Sequence, residues 1–326
     1  MHNNKFNIKS HINLNKSSLN IDPYFITGLT DAEGSFSIMK HKNIRAKYDI
    51  NIGLRFKITM LVNETELLNM IKPFFKCGTL TIGKNGTINF EVKDIYSLNK
   101  YIIPHFCKYP LRGTKHLDFL TFKEAINIIN SKKHLTKEGI NEIINMSNTM
   151  NSYRKLPIEY CPIHTIENNS EYIPINGHYI NGFIAGDGCL ALNTKDAGFA
   201  RMSLQISQHK NNKNLLFSIA DYFKSSNKIY SHDTHSLQLT LSGIKLWENI
   251  VFKHFIEYPL HGSKQIKLNK FFIIREIILK KEYLIKKGKG RIWDPKVKLQ
   301  IMNIWFPQIM IKYDCIQSKD DDKDEK

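Results

Sequence analysis

The sequence predicts an α+β protein built from two copies of one unit, and three observations carry that prediction. A nonapeptide occurs twice, ITGLTDAEG at 26–34 and INGFIAGDG at 180–188. A second motif follows each, YPLRGTK at 109–115 and YPLHGSK at 258–264, so that Glu33 stands about as far from Lys115 as Asp187 does from Lys264. Between the motifs of each pair, apolar and polar residues alternate over short runs, the period of strands with one buried face. Two motifs repeated in one order at nearly the same spacing mark a duplicated domain.

In order, each copy reads helix, strand, strand, helix, strand, strand, helix, or αββαββα. Asp22-Pro23 starts the first helix, with Asp as N-cap and Pro at the first helical position. Phe25, Leu29 and Ala32 recur at helical spacing, and Gly34 ends the helix. Phe36 and Ile38 then alternate with Ser35, Ser37 and Met39, and Leu54, Phe56 and Ile58 with Arg55, Lys57 and Thr59. A second helix is expected from Asn63, placed to cap with Glu66 three residues on, a capping-box arrangement. Two strands follow, Thr79-Leu80-Thr81-Ile82 and then 87–92, where Ile88, Phe90 and Val92 alternate with Thr87, Asn89 and Glu91. A helix beginning near Lys115 closes the unit.

The second copy matches. Leu190 and Leu192 alternate with Cys189, Ala191 and Asn193. Met202, Leu204 and Ile206 alternate with Arg201, Ser203, Gln205 and Ser207, and Leu237, Leu239 and Leu241 with Ser236, Gln238 and Thr240. The division expected is an N-terminal half at 1–130, a linker with a helix (Ile140, Ile143, Ile144) at 131–176, a C-terminal half at 177–312 and a charged tail at 313–326.

A sheet with one apolar face needs helices against it. The other face here is polar and partly basic, and the whole chain of 326 residues carries 47 Lys+Arg against 30 Asp+Glu, a net +17. An excess that large, spread along the chain, points to a polyanionic partner. With 42% hydrophobic and 11% aromatic residues the chain has the composition of a folded protein. Five scattered cysteines (Cys77, Cys107, Cys161, Cys189, Cys315), with no CxxC pair, indicate neither a zinc site nor a disulfide framework. No apolar run approaches the ~18–20 residues of a membrane span, and the polar N-terminal MHNNKFNIKSHINLNK lacks the apolar centre of a secretory signal. Abundant Ile, Asn and Lys, with A/T-rich codons, hint at an A/T-rich genome such as an organelle's. The histidines show no HNH or GIY-YIG arrangement and no paired zinc spacing, and read as surface or phosphate-facing groups.

The two nonapeptides, each followed by strands and a YPLxGxK motif, resemble the LAGLIDADG homing endonucleases. More narrowly, residues of about 20 to 310 are similar to the single-chain, two-repeat kind encoded in fungal mitochondrial introns. That resemblance implies two αββαββα units related by a pseudo-twofold axis, their antiparallel sheets forming a saddle over DNA. It implies a monomer that makes a staggered double-strand break at a long asymmetric site, in the mitochondrion. The metal acids would be Glu33 and Asp187, each the eighth residue of its nonapeptide, joined by the main chain of Ala32 and Gly186. The cofactor would be two or three Mg²⁺ ions, with Ca²⁺ supporting binding without cleavage. Lys115 and Lys264 match the family's basic residue near the scissile phosphate, and Gln208 a position that organises active-site water. The first half has Thr59-Met60 in that stretch, and the second nonapeptide has Ala185 and Gly186 where the first has Asp31 and Ala32.

The residue types suit that picture. Gly28 and Ala32, like Gly182 and Gly186, lie four apart on one helix face, where small side chains let two helix backbones approach. Both acids then meet at negative helix ends, a crowding that raises a carboxyl pKa and that divalent cations relieve. The DNA-facing residues would be Ser35, Ser37, Met39, Arg55, Lys57, Thr59, Thr79, Thr81 and Asn89 in one half. In the other they would be Cys189, Asn193, Arg201, Ser203, Gln205, Ser207 and Gln238. An RNA-splicing maturase acting on intron RNA is the alternative on the same scaffold; a DNA-binding regulator is a third reading, for which no extra domain is visible.

Overall fold

The computed structural model describes residues 21–156, 174–193, 201–225, 229–280, 284–287 and 290–307. The basic N-terminal stretch, most of the irregular part of the expected linker and the charged tail lie outside the described residues, as do Cys161 and Cys315. The N-terminal half runs α1 (Pro23–Glu33), β1 (Gly34–Lys42), β2 (Ile50–Leu61), α2 (Thr65–Phe75), β3 (Thr79–Ile82), β4 (Thr87–Val92), α3 (95–108) and α4 (Lys115–Asn130). Helix α5 (Lys137–Ser147) follows. The C-terminal half repeats the order with α6 (Gly177–Asp187), β5 (Gly188–Asn193), β6 (Arg201–His209), α7 (Lys213–Tyr222), β7 (Ile229–Ser231), β8 (Ser236–Ser242), α8 (244–257) and α9 (Ser263–Leu279). It then adds a hairpin, β9 (Leu284–Lys287) and β10 (Gly290–Trp293), and α10 (Pro295–Trp305).

Each half holds a four-stranded antiparallel sheet, ordered β1-β2-β4-β3 and β5-β6-β8-β7. The registers correspond: Gly34 pairs with Ile58 and Gly188 with Ile206. That correspondence sets Met60 against Gln208, and Glu64 against Asn212. Phe36, Phe56 and Phe90 point into one core, Leu204, Ile206 and Leu239 into the other, all fully buried.

Helices α1 and α6 begin as the sequence requires. Asp22 Oδ1 accepts from the Tyr24 N–H at 2.8 Å, and Asn176 Oδ1 from the His178 N–H at 2.8 Å. Unlike a surface helix, each is buried nearly all round. Phe25, Ile26 and Leu29 enter the N-terminal core while Tyr24 and Ala32 of the same helix pack on the other core, and Ala185 of α6 returns the exchange.

Three details differ from expectation. Asn63 does not cap α2: a 3₁₀ turn (Val62–Glu64) intervenes, Glu64 takes the N-cap position, and its carboxylate is used elsewhere. Each unit also contains a further helix between its last strand and its closing helix. In α3 the Ile103 N–H bonds Leu98 O, and in α8 the Phe252 N–H bonds Trp247 O, a π-turn at the same place in both copies. Finally, residues up to Arg154 of the expected linker are packed on the N-terminal half. Helix α5 lies against β1 and α4, Asp118 Oδ1 accepts from Asn151 N at 3.0 Å and Arg154 Nε at 2.9 Å, and Met150 is buried in the core.

Two histidines fasten α1 and α6 to the chain that carries the second motif. His105 Nε2 lies 3.2 Å from Thr27 Oγ1, which also donates to Tyr109 O at 3.1 Å. In the other half His254 Nε2 lies 2.7 Å from Asn181 Oδ1, and Asn181 Nδ2 donates to Tyr258 O at 2.6 Å. His105 and His254 are 7% and 4% exposed, so for these two the surface reading is wrong: they sit in aromatic surroundings and satisfy buried polar groups. Burial pushes both imidazoles down to about 3. The unfolded chain binds their protons near the ordinary value of 6.5 and the fold does not. Their stabilisation is therefore whole above about pH 6.5 and is lost as the pH falls toward 3, by about 2 kcal/mol per histidine at pH 5. Urea melts between pH 7 and 5 should show a decline that becomes shallower by ~1 kcal/mol per pH unit on average in His254→Gln; an unchanged slope would refute the burial argument.

Candidate active site

The site stands where α1 and α6 end side by side. Their approach is closer than side chains normally permit. A Cβ at Gly28 would fall onto the Tyr179 carbonyl, and one at Gly182 onto the Phe25 carbonyl. One turn later a Cβ at Gly186 would meet the Ala32 methyl. Each helix is capped by a glycine in extended conformation, Gly34 and Gly188, which turns the chain straight into β1 or β5. Glu33 and Asp187, the last residue of each helix, are thereby brought together under the junction of the two sheets.

Lys115 and Lys264 enter from the starts of α4 and α9. Lys115 Nζ donates to Asp31 O and Ala32 O at 2.7 Å each and to Thr30 O at 3.3 Å. Lys264 Nζ donates to Ile184 O at 3.0 Å, Ala185 O at 2.8 Å and Gly186 O. Each ammonium thus fills the C-terminal end of one helix, where carbonyls lack intrahelical partners and the macrodipole is negative.

Both acids are shifted toward their neutral forms. Burial raises the Glu33 carboxyl most, and the neighbouring Asp187 charge adds to it. Burial also raises Asp187, against the pull of Lys115, Gln208 and Lys264. At Glu33 crowding of like charge is thus second to desolvation. Burial lowers both lysines while the acids raise them. Among the described residues the Glu33 carboxylate accepts no hydrogen bond, and no group of three His, Cys, Asp or Glu side chains forms a metal cluster. A cation here would take the two carboxylates, the carbonyls of Ala32 and Gly186, and water. An all-oxygen set of that kind fits a hard divalent ion. Each carbonyl has a second lone pair beside the one its lysine uses.

The departure at the sixth nonapeptide position, Asp31 against Ala185, also has a structural account. Asp31 is buried and accepts from Arg112 N at 2.7 Å, Gly113 N at 3.2 Å and Tyr179 Oη at 2.6 Å, so it secures the loop leading to Lys115. The matching residues of the other half are Ala185, His261 and Phe25, and there the His261 and Phe25 rings meet edge to face, centroids 4.8 Å apart. A hydrogen-bonded trio on one side thus corresponds to a ring contact beside a small methyl group on the other.

The helices bearing the lysines are capped across the halves. Glu64 accepts from Ser263 N at 3.0 Å and from Ser263 Oγ, just before Lys264. Its counterpart Asn212 accepts from Thr114 N at 2.9 Å, just before Lys115. Asn212 Nδ2 donates to Gln208 Oε1 at 2.9 Å, and Gln208 Nε2 to Asp187 Oδ2 at 2.5 Å. Glu64 and Asn212 escaped the sequence reading; the only available signal was that both sit four residues after the aligned Met60 and Gln208.

The expected DNA-facing residues occupy the polar face of the two sheets. Thr79, Thr81, Cys189, Asn193 and Arg201 are exposed, and Ser35, Ser37, Met39, Lys57, Thr59, Asn89, Gln205, Ser207 and Gln238 are half-buried. Some are already linked: Thr59 Oγ1 donates to Asn89 Oδ1 at 2.8 Å and Gln238 Nε2 to Ser207 Oγ at 3.0 Å. Arg55 lies 3.6 Å from Glu91, itself paired with Lys93 at 2.6 Å, and so is less free than an isolated arginine. Ser203 differs, only 7% exposed with its hydroxyl turned to Ala191 O at 3.3 Å.

A family model described as LAGLIDADG endonuclease matches residues 26–126 and 180–275, and the chain belongs to that family. Among curated proteins, probable intron-encoded endonuclease 3 of Neurospora crassa is 28% identical over 301 residues, spanning 88% of this chain and 56% of the relative. Probable intron-encoded endonuclease 2 of the same organism is 30% identical over 295 residues, spanning 86% and 65%. The chain therefore spans between about half and two thirds of the length of these relatives. The solved structure of I-SmaMI bound to uncleaved DNA target in the presence of calcium ions superposes with a TM-score of 0.77 at 24% identity, over 89% of this chain and 99% of that one. At that identity the likeness establishes the fold, two tandem α+β half-domains.

Proposed function

We propose that the chain is a site-specific DNA endonuclease that makes a staggered double-strand break in a long asymmetric target and needs divalent cations to do so. The observation that carries this reading is the convergence of Glu33 and Asp187 at the shared end of α1 and α6, below two polar sheets. The polar faces take the duplex, with phosphates drawn by the net +17 charge. Glu33 and Asp187 would hold Mg²⁺, two or three ions, with Ala32 and Gly186 contributing carbonyls. Bound there, the ions would stabilise attacking and leaving oxygens of a phosphodiester. Gln208 orients Asp187 from its side. Lys115 and Lys264 hold the helix ends in register and add positive charge beside the reacting phosphates. That calcium accompanies I-SmaMI on uncleaved DNA supports Ca²⁺ as an ion for binding without cutting.

Asymmetry follows from aligned positions that carry different side chains: Ser35 against Cys189, Arg55 against Ser203, Lys57 against Gln205. Two such surfaces read unlike half-sites through the major groove. A monomer with fused halves needs no second copy to complete the site. The intron-encoded relatives support a mitochondrial genome as the source of the chain and the mitochondrion as its place of action. A maturase binding intron RNA would not need both acids under a matched lysine pair, which favours the nuclease. The test is selection from a random duplex pool. One non-palindromic site should be cut in Mg²⁺ and bound uncut in Ca²⁺; no cutting of any member, or a palindromic optimum, would refute the proposal.

A further inference from the structure

The two acids are not equivalently supported. In the C-terminal half a chain of three hydrogen bonds runs from Thr114 N to Asn212, from Asn212 to Gln208, and from Gln208 to Asp187, each 2.9 Å or shorter. In the N-terminal half the aligned residues are Met60, 7% exposed and without a polar group, and Glu64, whose carboxylate is engaged by Ser263. Asp187 has an amide held against it, and Glu33 does not.

The polarity of that chain is set by its far end. The Thr114 N–H is a backbone donor and cannot become an acceptor. It therefore fixes Asn212 with its oxygen toward Thr114 and its amide nitrogen toward Gln208. The nitrogen in turn demands the oxygen of Gln208, which leaves the Gln208 NH₂ facing Asp187. Without Asn212, either end of the Gln208 amide can face Asp187, and one of them sets oxygen against carboxylate.

We propose that Asn212 is a positioning residue that holds Gln208 as a donor to Asp187, and so makes the scission of one DNA strand depend on a residue that the other strand's scission does not use. The inference rests on the nuclease reading above. Because Thr114 belongs to the N-terminal half and Asp187 to the C-terminal half, the same chain ties the setting of one acid to the seating of the lysine helix from the opposite half.

The experiment is single-turnover cleavage of the selected site in Mg²⁺, with the two strands labelled separately. Asn212→Asp keeps an acceptor for Thr114 N–H and removes the donor to Gln208; Asn212→Ala removes both. Both variants should slow one strand on the order of ten-fold or more, as loss of an outer-sphere partner does, leave the other within about two-fold, and accumulate nicked product. In a Gln208→Ala background the Asn212 substitutions should have no further effect on strand rates. Equal slowing of both strands, an effect of Asn212→Ala with none of Asn212→Asp, or full additivity with Gln208→Ala would each overturn the inference while leaving the nuclease standing. A wild-type protein that cuts neither strand would remove the nuclease reading and this inference with it.

Discussion

Glu33→Gln and Asp187→Asn are each expected to slow double-strand cutting by more than ~100-fold while leaving DNA affinity in Ca²⁺ close to that of the unaltered protein. Loss of outer-sphere partners already costs ~10–100-fold, and these carboxylates would touch the ions themselves. Affinity should survive because it resides in the basic faces and not in two acids, which repel phosphate. A second readout separates lost chemistry from lost fold. Burial raises both carboxyl pKa values, so their ionised forms oppose folding near neutral pH. The neutral amides should therefore leave the thermal midpoint unchanged or raise it. Cutting at the unaltered rate by either variant would take that residue out of the mechanism; a fallen midpoint would overturn the account of its electrostatics.

Gly182→Ala should have the largest effect on stability. The added methyl would land on the Phe25 carbonyl, in the backbone of the facing helix. No rotamer change relieves such a contact, so α1 and α6 must separate or slide. Overpacking of this severity costs about 3 kcal/mol, a fall of roughly 4–5 °C for a chain of this size. Gly28→Ala, set against the Tyr179 carbonyl, should behave alike. Cleavage should fall further than stability requires, because both acids ride on the helices being parted. A change under ~2 °C in both variants would mean that the helices do not touch backbone to backbone.

Much of this arrangement was legible in the sequence. Small residues four apart, an acid at each helix end and period-two alternation are local patterns, and local patterns survive being read one residue at a time. The extra helices α3 and α8 were not legible because a π-turn at Leu98–Ile102 and at Trp247–Val251 breaks the 3.6-residue rhythm on which such reading depends. Asn63 misled because its capping pattern was sound; a 3₁₀ turn and the use of the Glu64 carboxylate by the other half displaced it. His105 and His254 carry no mark in the sequence that separates a buried histidine from an exposed one. The platform shows a subtler limit. Alternation places Arg55 and Ser203 on the polar face, but only the fold reveals that Glu91 holds the first and that the second is covered.

The crosswise capping by Glu64 and Asn212 has a consequence for anyone wishing to build hybrid proteins by exchanging halves. Specificity would sit in the sheets and could be transplanted with them. What would not travel is the match between a capping side chain on one half and the helix start it serves on the other. A grafted N-terminal half must bring an acceptor that suits Ser263 and a backbone that suits Asn212, or each partner arrives with a lysine helix it cannot seat. Compatibility of a chimera would be decided at that pair of caps before any base is read.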